Sequence, residues 1–336
     1  MSAAPTQGFR RLVLVTLVAT FLLIVLGGVV RVSDSGLGCG PGGSGFHGWP
    51  LCQGDVVPGL DINTIIEYSH RTVASIVGVL MLVLAAVSFR RYRSHRGIVR
   101  AAVASAALVL AQGLLGAATV EKDLNETLVA AHLGLAMLLL ALVLYIWRAS
   151  RPDVIGAPAA EGGPRFRALT WATGVFTFAT IVAGGYMAGT QHYGRPDYQL
   201  GDGAHHACGR QFPTCNDGFL PFGQSRLVDI HLTHRVFMYI TTVLVIALAV
   251  TALRRRPSAG VVRMAWVMIG ILGAQILLGA LNVWLEEYEV LILAHLTVGT
   301  LLWAAVVATG LQLYPVPAPD PSAAHARTPG REALPA

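Results

Sequence analysis

Four histidines form two matched pairs that could bind a metal ion or a haem. The first pair is His70 and His132, and the second is His234 and His295. Each member of the second pair follows its counterpart at nearly the same interval, 164 positions (234 − 70) or 163 positions (295 − 132). Two imidazoles that face each other from different helices of a bundle can ligate the iron of a haem. The spacing therefore favours two haem sites of the same kind.

The sequence around these histidines is repeated as well. The matching segments are Ala111-Gln112-Gly113-Leu114-Leu115-Gly116-Ala117 with Ala274-Gln275-Ile276-Leu277-Leu278-Gly279-Ala280, Ser69-His70-Arg71 with Thr233-His234-Arg235, Ala131-His132-Leu133 with Ala294-His295-Leu296, and Gly27-Gly28 with Gly184-Gly185. Repetition at one interval is typical of a duplicated structural unit. An even number of membrane helices per unit makes the two copies parallel, related by an axis along the membrane normal. Pairing within each copy is the more economical arrangement, and pairing between the copies stays open.

The elements that must position these residues are membrane helices. Hydrophobic residues make up 54% of the 336 residues and charged residues only 12%, about half of the fraction usual in a soluble domain. Apolar runs long enough to cross a bilayer recur along the chain. They predict spans at 12–31, 64–88, 99–120, 127–147, 168–190, 227–253, 261–283 and 288–313. The expected fold class is an all-α integral membrane protein, with eight transmembrane helices arranged as two pseudo-symmetric four-helix bundles.

The distribution of arginine predicts the orientation of these helices. Arginine clusters occur before the first span and after the second, fourth and sixth, within residues 10–11, 90–100, 148–167 and 254–263. The alternate loops carry mainly acids. Because basic loops stay on the cytoplasmic side, both termini are predicted to be cytoplasmic. The Arg-rich, almost Lys-free composition fits a GC-rich bacterium, so we expect a bacterial cytoplasmic membrane. The net charge of +6 follows from this topology, so we assign no nucleic-acid role.

The chain is expected to divide into two bundles. The N-terminal bundle covers residues 1–151 and the C-terminal bundle covers residues 168–314, with a cytoplasmic linker at 152–167 that is rich in Pro and Gly. The tail at 315–336 is rich in Pro and Ala and has no apolar period, so we expect it to be disordered.

Alternative roles for the four histidines are less favoured. A single intramembrane histidine is as often hydrogen-bonded across a bundle, but four recur in register, and ionisable groups inside membranes are usually functional. Zinc would require three or four converging ligands, often cysteines, and the cysteines here lie in loops. Gly116 and Gly279 could leave room for a porphyrin or serve close helix packing. The remaining histidines are expected at the surface; they are His47, His95, His192, His205 and His206.

The four cysteines form a second repeated pattern. Cys39 and Cys52 lie in the loop after the first span, and Cys208 and Cys215 lie in the loop after the fifth. Both loops are on the predicted outer side, which is oxidising in a bacterium, so disulfides can persist there. A structural disulfide is favoured for Cys208–Cys215. For Cys39–Cys52 a structural role and a redox-active role both remain open.

The two copies differ at one position that could carry out chemistry. Glu67 precedes His70 by three residues on the same helical face, whereas His231 occupies the matching position before His234. A carboxylate there can act as a general base or stabilise a cationic intermediate. The alternative is an interfacial carboxylate that is solvated or paired with Arg71 or Arg31. The asymmetry favours a reactive site in the N-terminal copy and an electron-transfer or structural haem in the C-terminal copy.

The sequence resembles the haem A synthase family over residues 10–313. The resemblance depends on the segment GGVVRVSDSGLGC from Gly27 to Cys39, on Trp49-Pro50-Leu51-Cys52, on Glu67-Tyr68-Ser69-His70-Arg71, and on the motifs around His132, His234 and His295. The two cysteine pairs are similar to those of the bacterial type that carries them. The first outer loop departs from the compact form of the family, because Gly40-Pro41-Gly42-Gly43-Ser44-Gly45 lies between its cysteines.

The resemblance implies an activity and its partners. The enzyme would oxidise the C8 methyl group of haem O to a formyl group, which yields haem A for cytochrome oxidase assembly. The implied cofactor is haem b, and the implied partners are haem O synthase, an electron acceptor and membrane lipid. A homo-oligomer is compatible with the resemblance.

The resemblance also implies roles for particular residues. These roles are a catalytic carboxylate at Glu67, ligands of the substrate haem at His70 and His132, ligands of haem b at His234 and His295, a cysteine pair linked to activity or haem handling at Cys39 and Cys52, and a structural pair at Cys208 and Cys215. Two other function classes stay open, namely a dihaem b-type cytochrome for electron transfer and a haem transporter or chaperone. Electron carriers usually place histidines near both membrane faces, whereas all four here lie near one predicted face.

Overall fold

The structure, a computed structural model, describes residues 4–191, 203–286 and 289–320, and these residues are mostly helical. The eight long helices are α1 (Gln7–Val32), α2 (Ile62–Arg91), α3 (Arg96–Glu121), α4 (Glu126–Ala149), α5 (Gly163–Gly189), α6 (Arg226–Arg255), α7 (Ala259–Trp284) and α8 (Glu289–Gln312). Each is long and apolar enough to cross a membrane. The predicted all-α fold with eight spans is therefore confirmed.

Polar side chains define where several helices begin. Thr6, Asp61, Ser225 and Ser258 precede α1, α2, α6 and α7, and each accepts a hydrogen bond of 3.2–3.3 Å from the backbone N–H three residues further on. Helices α1 to α7 begin before their predicted spans, as α5 does at Gly163 rather than at residue 168, whereas α8 lies within its predicted span of 288–313. Hydropathy marks only the part of a helix in the hydrocarbon core, whereas arginine-rich ends continue the helix into the headgroup region.

Helices that are neighbours in the sequence pack together within each half of the chain, from α1 to α4 and from α5 to α8. The two halves meet through α1, α4, α5 and α8. Ile24, Met137, Leu140 and Trp303 are buried at this interface, and Nε1 of Trp303 donates a 2.9 Å hydrogen bond to the Met137 carbonyl. The helices that carry His132 and His295, α4 and α8, therefore lie at the boundary between the halves.

The outward surface of the helices is apolar. Leu22, Leu114 and Val243 lie within α1, α3 and α6 and are 55%, 68% and 66% exposed. An extended apolar surface of this kind is unfavourable in water and is typical of side chains that face lipid. The chain is therefore a multi-pass membrane protein.

Residues 315–320, which composition places in a disordered tail, instead pack against loops. The Gly156 N–H donates a 2.9 Å hydrogen bond to the Val316 carbonyl, and the Asp320 N–H donates one of 2.9 Å to the Ser94 carbonyl. Val316 is buried. These contacts offset the conformational entropy that a Pro- and Ala-rich segment loses on ordering. The remainder of the predicted tail lies outside the described residues.

Candidate functional site

The four candidate ligands lie at similar depth in the bundle. His70 and His234 follow the first residues of α2 and α6 by eight positions, and His132 and His295 follow those of α4 and α8 by six. These four helices run in the same direction, so the histidines are about 9–12 Å from one end of the bundle. His70 and His132 lie on α2 and α4 of the N-terminal half, and His234 and His295 lie on α6 and α8 of the C-terminal half. This arrangement is compatible with pairing within each half.

Each of the four imidazoles packs against a glycine on the preceding helix. A Cβ atom placed on the glycine would lie 3.0–3.2 Å from Cε1 of the imidazole in all four cases. The pairs are Gly27 with His70, Gly116 with His132, Gly184 with His234, and Gly279 with His295. These glycines therefore give space to the imidazole rings themselves. Of the two roles considered for Gly116 and Gly279, close packing describes the observed contacts.

The ring nitrogens are suited to ligating iron. Nδ1 of His234 donates to the Thr180 carbonyl at 3.0 Å, which leaves Nε2 as the nitrogen with a lone pair. Nδ1 of His70, His132 and His295 is buried without a hydrogen-bond partner. Buried polar atoms without partners are rare and costly, and such atoms in native proteins commonly mark a site for an ion or cofactor. The histidine set thus fits a bound haem in each half.

The carboxylate of Glu67 is buried beneath the N-terminal disulfide loop, which we define as residues 33–61. Glu67 is 3% exposed, and its Oε2 accepts a 2.7 Å hydrogen bond from the backbone N–H of Cys39. Its Oε1 forms an ion pair with Arg71, the first of the two partners that the sequence suggests. Arg71 also donates to the carbonyls of Gly48 and Leu51 in the same loop. The carboxylate is therefore a structured group and not a solvated surface acid.

The matching position in the C-terminal half lacks a carboxylate. His231 is 3% exposed there, and its Nδ1 donates to the Ala204 carbonyl at 2.7 Å. Ala204 belongs to the C-terminal disulfide loop, which we define as residues 203–225. Arg235 takes the place of Arg71 and donates to the carbonyls of Gln211 and Thr214, each at 2.8 Å. The two halves therefore share the arginine and differ in the titratable group beneath the loop.

All four cysteines of the chain are paired. Cys39 is bonded to Cys52, and Cys208 is bonded to Cys215, as the sequence pattern predicts. The four residues are at most 1% exposed. The Cys39 segment is held on the start of α2, because Thr64 Oγ1 and Gln53 Nε2 donate to the Gly38 carbonyl at 2.8 and 3.0 Å.

Arg31 connects the two halves. Its Nε donates to the Ala188 carbonyl at 3.2 Å, and its Nη2 donates to the Gln191 carbonyl at the end of α5. From the sequence, Arg31 is predicted only as a possible partner for Glu67. The repeat itself contains a signal for the observed contact, because Arg31 and Ala188 occupy equivalent positions four residues after Gly27 and Gly184.

The histidines that the sequence places at the surface differ in how far they are buried. His95 is only 5% exposed, with its ring 6.1 Å from that of Tyr92, so the surface prediction is wrong for His95.

His205 is partly buried near His231, and burial lowers its pKa well below the usual value. His47 is exposed as predicted, and His206 is partly exposed. His192 lies outside the described residues. Hydropathy alone does not reveal how a loop folds back onto a helix end.

A zinc site is not supported by the described residues. They contain no group of three or more His, Cys, Asp or Glu side chains arranged to hold a metal ion. Each half instead contributes two histidines at one level, which suits a ligand whose remaining coordination comes from a macrocycle.

The fold and these sites define a duplicated membrane protein with two candidate bis-histidine sites, one of which has a buried carboxylate beside it. Comparison with known protein families supports this class. Residues 10–307 match the family described as cytochrome oxidase assembly protein. The chain therefore belongs to this family, and the resemblance to haem A synthases is confirmed.

Individual relatives cover most of the chain. It is 31% identical over 275 residues to the haem A synthase of Symbiobacterium thermophilum, and the alignment covers 78% of this chain and 82% of the relative. It is 30% identical over 248 residues to the haem A synthase of Shouchella clausii, which covers 72% of this chain and 75% of the relative. It is 31% identical over 244 residues to the haem A synthase of Halalkalibacterium halodurans, with 71% and 75% covered.

Proposed function

We propose that this protein is a haem A synthase, an oxidoreductase that converts the C8 methyl group of haem O into the formyl group of haem A. The observation that carries the proposal is the buried carboxylate of Glu67, which lies three residues before His70 and is replaced by His231 in the other half. The two halves contain similar sites, but only one site has a reactive group beside it. This difference suits a substrate site in the N-terminal half and a cofactor site in the C-terminal half. Membership of the family supports the same function.

The proposed reaction is a four-electron oxidation. Written with water as the oxygen source, –CH3 + H2O gives –CHO + 4 H+ + 4 e−. The proposed route is successive hydroxylation to a geminal diol, which then loses water. An external acceptor must take the electrons, and a group beside the substrate must accept protons.

Glu67 is the residue that we propose as this proton acceptor. Its two carboxylate oxygens are held by the Cys39 N–H and by Arg71, so the ionised form has a defined orientation. Each oxygen keeps a further lone pair that can accept a proton from the reacting carbon or hydroxyl group. The loop above Glu67 excludes water, which strengthens the electrostatic effect of the carboxylate on developing positive charge. His70 and His132 would bind the iron of the substrate and orient its C8 methyl group.

His234 and His295 are the residues that we propose to hold haem b in the C-terminal half. When bound, haem b would supply one-electron redox chemistry beside the substrate site. The hydrogen bond from Nδ1 of His234 to the Thr180 carbonyl orients this ring and increases the basicity of Nε2. Gln275 Nε2 lies 3.1 Å from Nε2 of His295, so its amide would have to move aside for the iron.

Extraction of haems from membranes that contain the protein and a supply of haem O tests the proposal. The wild-type protein should produce haem A, whereas Glu67→Gln should accumulate haem O and retain its haem b spectrum. Loss of a general base reduces a rate by roughly 100- to 10,000-fold. His231→Gln is the matched control from the other half and should retain haem A production per haem-loaded protein.

Two outcomes would contradict the proposal at different points. Normal haem A production by Glu67→Gln would remove the role of this carboxylate. If the wild-type protein forms neither formyl nor hydroxylated haem with any electron acceptor, the protein is not a haem A synthase. A haem transporter or chaperone, the other class considered, would then fit the two histidine pairs better. The position of all four histidines near one end of the bundle disfavours a transmembrane electron carrier.

A further inference from the structure

The two halves contain the same arginine clamp over their disulfide loops. Arg71 follows His70 directly, and Arg235 follows His234. Nη1 of Arg71 donates to the Leu51 carbonyl at 3.1 Å, and Nη1 of Arg235 donates to the Thr214 carbonyl at 2.8 Å. Each guanidinium group thus binds backbone oxygens of a loop that a disulfide closes. These backbone contacts alone would be enough if both arginines only held their loops in place.

The second terminal nitrogen distinguishes the two arginines. Nη2 of Arg235 makes another loop contact, to the Gln211 carbonyl at 2.8 Å. Nη2 of Arg71 instead binds Oε1 of Glu67 in an ion pair whose side chains are only 16% and 4% exposed. Removing one partner from a buried ion pair is strongly unfavourable, because the other charge remains without compensation.

We propose that Arg71 is a positioning residue that fixes the Glu67 carboxylate in its reactive orientation. The inference rests on the proposed function, in which Glu67 is the catalytic carboxylate. Oε1 is held by Arg71 and Oε2 by the Cys39 N–H, so the carboxylate cannot rotate without breaking a charge-assisted hydrogen bond. Arg71 is itself held by the Gly48 and Leu51 carbonyls, so the disulfide loop determines the position of the carboxylate.

Steady-state kinetics of haem O conversion in the full-length protein test this role. Arg71→Gln should lower kcat roughly 10- to 100-fold, which is the cost of a small misplacement of a reacting group, and should change the KM for haem O less than about twofold. Arg71→Lys should recover part of this loss, because it restores a positive charge without the planar guanidinium geometry. Arg235→Gln is the matched control and should keep kcat within about twofold per haem-loaded protein.

A double-mutant cycle separates positioning from a general effect on the loop. Glu67→Asp withdraws the carboxylate from Arg71 while keeping its charge. If Arg71 acts through Glu67, the losses from Glu67→Asp and Arg71→Gln should fail to multiply in the double variant. The haem b spectrum and a free-thiol assay show that each variant is folded and keeps both disulfides.

The outcomes distinguish this inference from the proposed function. Arg71→Gln and Arg235→Gln with equal kcat would overturn the positioning role, as would losses in the cycle that multiply independently. A loss in Arg71→Gln together with full activity in Glu67→Gln would also overturn it, because Arg71 would then act by another route. A wild-type protein that converts no haem O would overturn the proposed function and, with it, the inference.

Discussion

The backbone N–H of Cys39 donates a 2.7 Å hydrogen bond to Oε2 of Glu67, although the two residues are 28 positions apart. The disulfide partner of Cys39, Cys52, lies next to Leu51, whose carbonyl accepts a hydrogen bond from Arg71. The loop that this disulfide closes therefore holds Oε2 of the proposed catalytic carboxylate directly and holds Oε1 through Arg71. In the proposed mechanism, this relationship would give the N-terminal disulfide a positional role that the C-terminal one lacks.

Removal of the N-terminal disulfide should lower turnover more than removal of the C-terminal one. In a Cys39→Ser, Cys52→Ser protein the Cys39 amide is no longer restrained, and loss of a disulfide that closes a loop of this length destabilises by about 3 kcal/mol. The Cys208→Ser, Cys215→Ser protein should keep its turnover per haem-loaded protein. Haem A formation normalised to haem b absorbance measures the difference, and equal turnover in the two proteins would contradict it.

Substitution of Gly279 should weaken haem binding in the C-terminal half. An added Cβ would lie 3.1 Å from Cε1 of His295 and would push the imidazole from its position, at a cost of roughly 1–3 kcal/mol for overpacking. Gly273→Ala on the same helix is the matched control, because its Cβ would meet nothing within 4 Å. The haem b content of the purified proteins should fall for Gly279→Ala only. A normal content in Gly279→Ala would contradict the expected displacement of the His295 ring.

Substitution of Gly28 should affect the opposite half of the protein. An added Cβ on this α1 residue would lie 2.6 Å from Cδ2 of Leu296, which is adjacent to His295 on α8. The end of the Leu296 side chain can move to make room, so we expect Gly28→Ala to lower the thermal stability in detergent by about 1 kcal/mol, the lower end of the overpacking range, and to lower the haem b content slightly. Gly78→Ala, whose Cβ would meet nothing within 4 Å, should change neither. Unchanged haem b in Gly28→Ala would indicate that α8 adjusts without moving its histidine.

The stability of the protein should depend on pH through His205. Burial lowers the pKa of His205 well below its usual value, and the charges of His231, Arg31, His206 and His234 act in the same direction. The unfolded chain binds a proton at His205 below about pH 6.5, whereas the folded protein does not. This contribution to stability is therefore complete above pH 6.5 and is lost as the pH falls toward the folded pKa.

Thermal unfolding in detergent between about pH 7 and pH 5 measures this contribution. His205→Gln should reduce the loss of stability on acidification relative to the wild-type protein. All other titratable groups are the same in the two proteins, so the difference between their pH profiles reports on this position. Parallel profiles would show that His205 takes up its proton equally well in the folded state.

Much of the architecture follows from local properties of the chain. Span length, charge bias and capping residues act within one helix or loop, so hydropathy and arginine distribution identify all eight helices. The duplication also predicts that His70 lies at the depth of His234 and His132 at the depth of His295, because equal positions in repeated units reach equal depth in the bundle. The predicted helix ends are less accurate, as α5 shows, because hydropathy does not report on the headgroup region.

The sequence by itself therefore determined the class of fold, the four repeated histidines, the disulfide partners and the asymmetry between Glu67 and His231. Only the tertiary structure decided that Glu67 pairs with Arg71 and the Cys39 amide, and that Arg31 reaches Ala188, 157 positions away. It also decided that His95 is buried. The physical reason is that helix formation in a membrane depends on local hydrophobicity, whereas these contacts depend on how distant segments pack and satisfy buried polar groups.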